Sequence, residues 1–243
     1  MSAILPNVRG PTPAKRRVLA YACQNIIMYG APVWNEATNM HVNKKRLEGA
    51  QRVMALRVCS AYRTTSTEAA LVISGLVPLH LLSRERERLF LKGEVQTRAS
   101  REMERNRTVQ QWQAEWEVSQ KGRWTYKLIP NINMWIKRKH GEVNFYLTQI
   151  LSGHGNFGSY LCKIGKREVA ECRYCAEPND TPEHTMFACP RWEQERCEAR
   201  MTIGGNISAD TFLKSVTERR ENFEAISKLA QNILEAKYSE EQG

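Results

Sequence analysis

The stretch LHLLSRERERLFLKGEVQTRASREMERNRTVQQWQAEWEVS, residues 79–119, carries the longest continuous helical pattern in the chain. It is rich in Arg and Glu, which favour helices, and it contains no proline and a single glycine, Gly93. Because glycine costs a helix about 1 kcal/mol relative to alanine, a break is expected there. The pattern predicts a solvated helix with salt bridges between its charged residues. In the alternative interpretation, its Arg residues are available to bind phosphate. A mainly α fold follows.

Helical patterns also precede this stretch. Apolar residues recur at helical spacing from residue 15 up to a stop at Gly30, and a second amphipathic helix is predicted over residues 42–61. Its apolar stripe is expected to contain Leu47, Ala50, Met54 and Val58. Thr65 and Glu68 have the spacing of a capping box, so a short helix should begin there and end at Gly75.

The chain after residue 122 mixes aromatic and basic residues. Three short helices are predicted, separated near Gly141 and across residues 153–155, with little strand, and residues 207–238 again have a helical pattern. The aromatic residues can stack on bases, but their spacing favours the core. They are Trp124, Tyr126, Trp135, Phe145, Tyr146, Phe157 and Tyr160.

Positive charge is concentrated in the first part of the chain. Residues 1–150 hold 24 Lys and Arg against 11 Asp and Glu, whereas residues 151–243 hold 12 against 15, giving +13 and −3. Such an excess favours a polyanionic partner, because each phosphate that is neutralised releases counterions. A merely solvated basic face is the alternative. No long apolar run and no secretory signal is present, so an intracellular, soluble protein is expected.

The segment ECRYCAEPNDTPEHTMFACPRW, residues 171–192, has the spacing C-x2-C-x8-H-x4-C. Zinc takes four ligands in a tetrahedron, which a tight Cys pair, a His and a final Cys can supply. The seven cysteines are odd in number and scattered, which argues for reduced thiols rather than disulfides. One zinc ion per chain is therefore predicted, bound by Cys172, Cys175, His184 and Cys189. Cys162 and Cys197 are weaker candidates for ligands or are free thiols.

No catalytic residue is predicted. Four protein ligands leave the zinc no open position, so the site should be structural. The chain contains only two aspartates, Asp180 and Asp210, whereas a two-metal polymerase or nuclease centre usually needs two or three clustered carboxylates. A glycine-rich phosphate loop and a Ser/His/Asp set are also lacking.

Several segments in a fixed order carry a family resemblance. They are GPTPAKRRVLA, YGAPVW at 29–34, AQRVMALRVCSAYRTTSTEAALVISGLVPLHLL at 50–82, GRWTYKLIP at 122–130, HGEVNFYLTQILSGHGNFGSYL at 140–161, and the Cys/His segment with its CPRW. With these, nearly the whole chain resembles the C-terminal part of the reverse transcriptase polyprotein of type-1, ribosomal-DNA-targeted non-LTR retrotransposons of insects.

The resemblance implies a polymerase palm and fingers upstream and an endonuclease near the N-terminus of the intact polyprotein. Mg²⁺ would act only in those missing parts, since the family's aromatic residue followed by paired aspartates is not found here. Four regions are expected: a helical, basic, thumb-like region at 1–118, an aromatic and basic connector at 119–168, a CCHC zinc knuckle at 169–193 and a C-terminal helical segment at 194–243. Nuclear action is also implied.

The leading hypothesis is a region that binds template RNA or target DNA during target-primed reverse transcription. Candidate contacts in the thumb-like region and in the knuckle are Lys15, Arg16, Arg17, Lys44, Lys45, Arg46, Arg52, Arg57, Arg173, Tyr174 and Arg191. A zinc-stabilised protein-interaction module is the alternative, favoured by the net negative charge after residue 150. A third hypothesis is that the chain is itself a nuclease. The shortage of carboxylates argues against this hypothesis.

Overall fold

A computed structural model describes residues 10–93 and 97–241, which form helices joined by turns and loops, with no β-strand in those two ranges. The predicted mainly α fold is confirmed. Within the described chain, no helix combines the length and the apolar composition that crossing a membrane requires.

The helices follow one another closely. They are α1 (Pro13–Ile27), α2 (Ala31–Trp34), α3 (His41–Val58), α4 (Thr67–Ser74), α5 (Leu79–Leu91), α6 (Arg98–Val118), α7 (Arg123–Leu128), α8 (Ile132–Lys137), α9 (Phe145–Ser152), α10 (Gly158–Lys163), α11 (Glu193–Ile203), α12 (Phe212–Glu218) and α13 (Arg220–Glu240). Short 3-10 turns cover Asn35–Asn39 and Pro190–Trp192, and a π-helical turn covers His184–Ala188.

The predicted break in the long helical stretch is confirmed. Helix α5 ends at Leu91 and α6 begins at Arg98, with Gly93 between them at φ 61°. A buried carboxylate joins the two helices, because Glu104 on α6 accepts hydrogen bonds from Arg88 at 2.6 Å and from Lys92 at 2.8 Å. These two hydrogen bonds lower the pKa of Glu104 to about 2, and the bond from Lys92 has the larger effect. The arginines of this stretch thus serve partly to pair the helices.

The buried face of helix α3 departs from the predicted stripe at Ala50. Met54 and Val58 are buried as expected, but Ala50 is exposed and Gln51 is buried. The Gln51 side chain donates to the carbonyl of Val77 at 2.7 Å and accepts from the amide of Leu79 at 2.9 Å. A polar residue therefore belongs to the core, because it supplies hydrogen-bond partners to the backbone at the start of α5.

Replacing Gln51 with Leu is expected to destabilise the protein by about 2–4 kcal/mol, since it would leave two buried backbone groups without partners. Urea denaturation followed by circular dichroism measures the change in the free energy of unfolding. The matched control is Gln110→Leu on an exposed position of α6, which should change that free energy by less than about 0.5 kcal/mol. Unaltered stability of Gln51→Leu would contradict the role assigned to its amide.

Two details of the predicted helices need correction. The N-cap of α4 is Ser66, whose hydroxyl accepts from the amide of Ala69 at 3.2 Å, and not Thr65. Its end at Gly75 is as predicted. The C-terminal helical pattern is divided, because the backbone at Arg219 is extended between α12 and α13.

Residues 119–168, the predicted connector, hold four short helices, α7 to α10, rather than three. The expected separations near Gly141 and residues 153–155 are present, and residues 129–131 add another. None of the seven connector aromatics is exposed, which confirms them as core or partly buried. Trp124 and Trp135 also donate to carbonyls of Ile150 and Ile73, at 2.6 and 3.4 Å. These indoles thereby join short helices that are too small to be stable alone.

Helix α13 lies at the centre of the C-terminal half. Its buried face includes Phe223, Ile226, Ile233 and Leu234, and it packs against α9, α11 and α12. The π-helical turn that carries His184 also contacts α13. The Cys/His segment is therefore held on a long, well-packed helix.

Candidate metal centre

The four predicted ligands converge on one point. The potential ligand atoms of Cys172, Cys175, His184 and Cys189 all lie within 4.8 Å of one another. Cys172 Sγ is 3.8 Å from Cys189 Sγ, and Cys175 Sγ is 3.4 Å from His184 Nε2. The residues are separated by up to 17 positions in the chain, so the fold brings them together.

Two of these distances match the edges of a tetrahedral zinc site. Zn–S bonds of about 2.3 Å place two sulfurs of a tetrahedron about 3.8 Å apart, and a Zn–N bond of about 2.1 Å places a sulfur and a nitrogen about 3.6 Å apart. The two separations in the protein agree with these values to within about 0.2 Å. The cluster can thus hold a metal ion such as zinc with four protein ligands.

Local hydrogen bonds set the positions of the ligands. The amide of Cys172 donates to the carbonyl of Glu177 at 2.9 Å, which closes a turn around the first Cys pair. The amide of His184 donates to Thr181 Oγ1 at 3.0 Å, and that of Cys189 donates to the carbonyl of His184 at 2.8 Å. These hydrogen bonds position the backbone in both halves of the site.

Burial makes the charged thiolate form of the cysteines in this cluster energetically unfavourable unless a cation is bound to them. It raises the pKa of Cys189 to about 12 and also raises that of Cys172. Burial lowers the pKa of His184, which favours the neutral imidazole that binds metal. A divalent cation supplies the compensating charge, because metal ligation deprotonates thiols outright.

Asp180 ties the loop between the two ligand pairs to the rest of the protein. Asp180 lies in a polar stretch of sequence, yet its carboxylate is only 2% exposed. It forms an ion pair with Lys237 of α13 at 2.7 Å, and it accepts from Thr185 Oγ1 at 2.6 Å and from the amide of Gly158 at 2.9 Å. Because a buried charge needs such partners, Asp180 fixes the loop on α10 and α13.

A second anchor lies at the C-terminal side of the cluster. Arg196 of α11 is buried and donates to the carbonyl of Cys189 at 2.6 Å. Trp192 is buried, and its ring packs edge-on against Tyr174 with the centroids 5.0 Å apart. The ligand segment is thus continuous with the core around it.

The knuckle residues predicted to contact nucleic acid lie beside acidic groups. Arg173 is 3.8 Å from Glu241, and Arg191 is 4.0 Å from Glu195 and 3.8 Å from Glu240. Tyr174 is half-buried against Trp192. The positive charges of the knuckle are therefore largely offset by neighbouring carboxylates.

The candidate contacts on α1 and α3 divide into exposed and internal groups. Lys15, Lys45 and Arg46 are exposed, and Lys44 is half-exposed at 4.0 Å from Glu48. Arg52 donates to Arg63 O at 2.6 Å and to Thr67 Oγ1 at 3.1 Å, and so has structural bonds as well. Arg17 and Arg57 are half-buried.

Arg16 belongs to the interior. It is 3% exposed, and its guanidinium donates to the carbonyls of Pro11 at 2.7 Å and Arg57 at 3.1 Å. The structure therefore assigns Arg16 to the junction of α1 and α3 rather than to an exposed surface. Its sequence neighbours, also basic, gave no sign of this difference.

The other cysteines stay outside the cluster. Cys162 lies against the carbonyl of Glu168 at 3.5 Å, and Cys197 is exposed on α11. Lys237 was not identified from the sequence, since its partner Asp180 is 57 residues away. An isolated lysine among the apolar positions of a helix was the only available signal.

Comparison with known proteins identifies the chain's homologues as Pol polyproteins of type-1 retrotransposable elements, which confirms the predicted resemblance. The chain is 27% identical over 209 residues to the "Retrovirus-related Pol polyprotein from type-1 retrotransposable element R1 4" of Nasonia vitripennis. It is 28% identical over 195 residues to the R1 Pol polyprotein of Bradysia coprophila. A "Putative 115 kDa protein in type-1 retrotransposable element R1DM" of Drosophila melanogaster is 27% identical over 201 residues.

These matches cover 79%, 73% and 75% of the chain, but only 53%, 19% and 20% of the three relatives. The chain thus spans between about a fifth and a half of the relatives that it matches. An origin in the C-terminal part of such a polyprotein fits these matches. No family model and no solved structure matches the chain.

Proposed function

We propose that the chain is the nucleic-acid-binding C-terminal region of a retrotransposon RNA-directed DNA polymerase and endonuclease polyprotein. It would hold template RNA or target DNA during target-primed reverse transcription, in the nucleus. The observation that carries the proposal is the outward basic face of α3, which we call the α3 basic surface and define by Lys44, Lys45 and Arg46. The homologous Pol polyproteins support it independently.

The α3 basic surface has the properties that backbone binding requires. Lys45 and Arg46 are exposed, and Lys44 lies 4.0 Å from Glu48, at the outer limit of an ion pair. The buried face of α3 packs against α1 and α4. The position of these cations is thus fixed by the core while their charges face solvent, where phosphates can displace weakly held counterions.

The metal centre has a supporting role in this proposal. Zinc bound by Cys172, Cys175, His184 and Cys189 would stabilise the knuckle, with no position left for a substrate. Arg173, Tyr174 and Arg191 would contribute less affinity than the α3 basic surface, because their surroundings are acidic or packed. The division into thumb-like region, connector, knuckle and C-terminal segment remains a proposal.

Binding to labelled RNA and DNA should weaken with salt. If about five phosphates are neutralised, log affinity should fall against log salt with a slope of about −3.5 on single strands and about −4.5 on duplex. Replacing Lys44, Lys45 and Arg46 with Ala should flatten the slope by about two to three units. Fluorescence anisotropy across a salt series measures it.

The matched control replaces Lys214, Arg220 and Lys228, exposed cations of α12 and α13, with Ala. The slope should then change by less than about one unit, although net charge falls equally. Equal slopes for the wild-type protein and the α3 variant would show that this surface is not the binding site.

A zinc-stabilised protein-interaction module is the second candidate. The pairing of Arg173 and Arg191 with glutamates favours it, since those cations are already compensated. Such a module would show no salt-dependent affinity for RNA or DNA. The same salt series therefore separates the two functions.

A further inference from the structure

Two arginines from distant parts of the chain line one small cavity. It has a volume of about 110 Å³ and lies between α1, the end of α4 and the end of α8, where Arg17, Tyr21, Ser74, Gly75, Arg138 and Gly141 form part of its wall. Among the described residues no carboxylate lines it. Arg17 and Arg138 are 121 positions apart, so only the fold pairs them.

Arg138 is held rigidly at this cavity. Its guanidinium stacks on the ring of Trp135 at 3.5 Å and lies 5.5 Å from that of Phe223. One terminal nitrogen donates to the carbonyl of Trp135. The Nε of Arg138 is buried and has no hydrogen-bond partner in the described part of the chain, and the same holds for the Nε of Arg17.

The electrostatics of the pair are unfavourable without an anion. Burial lowers the pKa of Arg138 to about 9, and the positive charge of Arg17 is the second, smaller cause. A nearby carboxylate, Glu142, is exposed and accepts from the amide of Ala14 at 3.3 Å, at the start of α1. Two like charges at a cavity with unpartnered buried donors leave a site that an oxyanion would satisfy.

We infer that this cavity binds one phosphate group through the guanidinium groups of Arg17 and Arg138. Arginine forks match the geometry of phosphate oxygens, and hydrogen bonds between charged groups are the stronger ones. The cavity has room for several water molecules, and so for one tetrahedral oxyanion, but it is well below the roughly 300 Å³ of a typical small-molecule pocket. A base and sugar attached to the phosphate would remain outside.

The phosphate site adds a specific contact to the proposed function. The assignment of the bound phosphate to a nucleic acid rests on that function. Free phosphate and the phosphodiester backbone share the chemistry that the two arginines recognise. Arg17 lies on α1, which packs against α3. A backbone phosphate at this cavity would therefore add a fixed contact to the more diffuse attraction of the α3 basic surface.

Isothermal titration of the whole metal-loaded chain with inorganic phosphate, at constant ionic strength, tests the site. The wild-type protein should bind one equivalent in a saturable way. Arg17→Gln and Arg138→Met should each raise the Kd for phosphate at least about tenfold, since each removes charge-assisted hydrogen bonds. Lys139→Met, an exposed neighbour with the same loss of charge, should leave Kd unchanged.

Arg138→Met could also disturb the packing on Trp135, so circular dichroism accompanies each variant. Arg17→Gln is the deciding variant, because Arg17 is half-buried on a helix and, unlike Arg138, is not stacked on Trp135. Absence of saturable binding by the wild-type protein, or an unchanged Kd in folded Arg17→Gln, would overturn the inference.

A competition arm identifies the source of the phosphate. Inorganic phosphate is titrated, at constant ionic strength, into the protein bound to a dT oligonucleotide and, separately, into the free protein. Displacement of the oligonucleotide supports a backbone phosphate, and phosphate binding without displacement supports free phosphate as the ligand. Salt-dependent oligonucleotide binding with no phosphate binding would overturn the site but leave the proposed function standing.

Discussion

Removal of the metal is expected to unfold the segment around Cys172, Cys175, His184 and Cys189 and to lower the stability of the helices that hold it. Structural zinc typically contributes on the order of 10 kcal/mol to the folding of such a site. The loss of structure should extend to α13, because Cys172 and Cys189 are buried in the same core as that helix. Circular dichroism during titration with a zinc chelator should show the loss of helix.

Metal analysis gives the sharper test. The purified protein should contain about one equivalent of zinc, and Cys175→Ser should contain none, because three ligands bind structural zinc far more weakly than four. Cys197→Ser is the matched control, since Cys197 is an exposed thiol outside the cluster, and it should retain the metal. The same zinc content in Cys175→Ser and in the wild-type protein would refute the assignment.

Replacing Lys237 with Met should destabilise the protein by about 3–5 kcal/mol. The change leaves the buried carboxylate of Asp180 without its cation, and removing one partner of a buried pair is far costlier than removing both. The shape of the side chain is largely kept, so the loss reports on charge. Urea denaturation of the zinc-loaded protein measures the difference in the free energy of unfolding.

Lys228→Met is the matched control, on an exposed position of the same helix, and should change stability by less than about 0.5 kcal/mol. The double variant Asp180→Asn with Lys237→Met should be more stable than the sum of the single changes predicts, since no unpaired charge remains. Strict additivity of the two changes would mean that the 2.7 Å contact carries no coupling.

The sequence alone determined the features that depend on neighbours along the chain. Helix ends at Gly75 and Gly153 follow from the left-handed backbone that glycine adopts easily, and both residues have positive φ. The cluster of candidate metal ligands could be predicted because spacings of two, eight and four residues are short enough for turns to bring the side chains together. The concentration of charge in residues 1–150 is likewise a property of composition.

Only the tertiary structure decided which polar side chains are internal. Arg16 and Lys15 are neighbours in a basic run, yet the first is buried at a helix junction and the second is exposed. Gln51 replaced Ala50 on the buried face of α3 because backbone groups 26 and 28 residues away needed partners. The ion pair of Asp180 with Lys237 likewise joins distant segments, and Arg17 and Arg138 come from distant segments to line one cavity. Their burial depends on how the helices pack, and local periodicity holds no information about contacts over such separations.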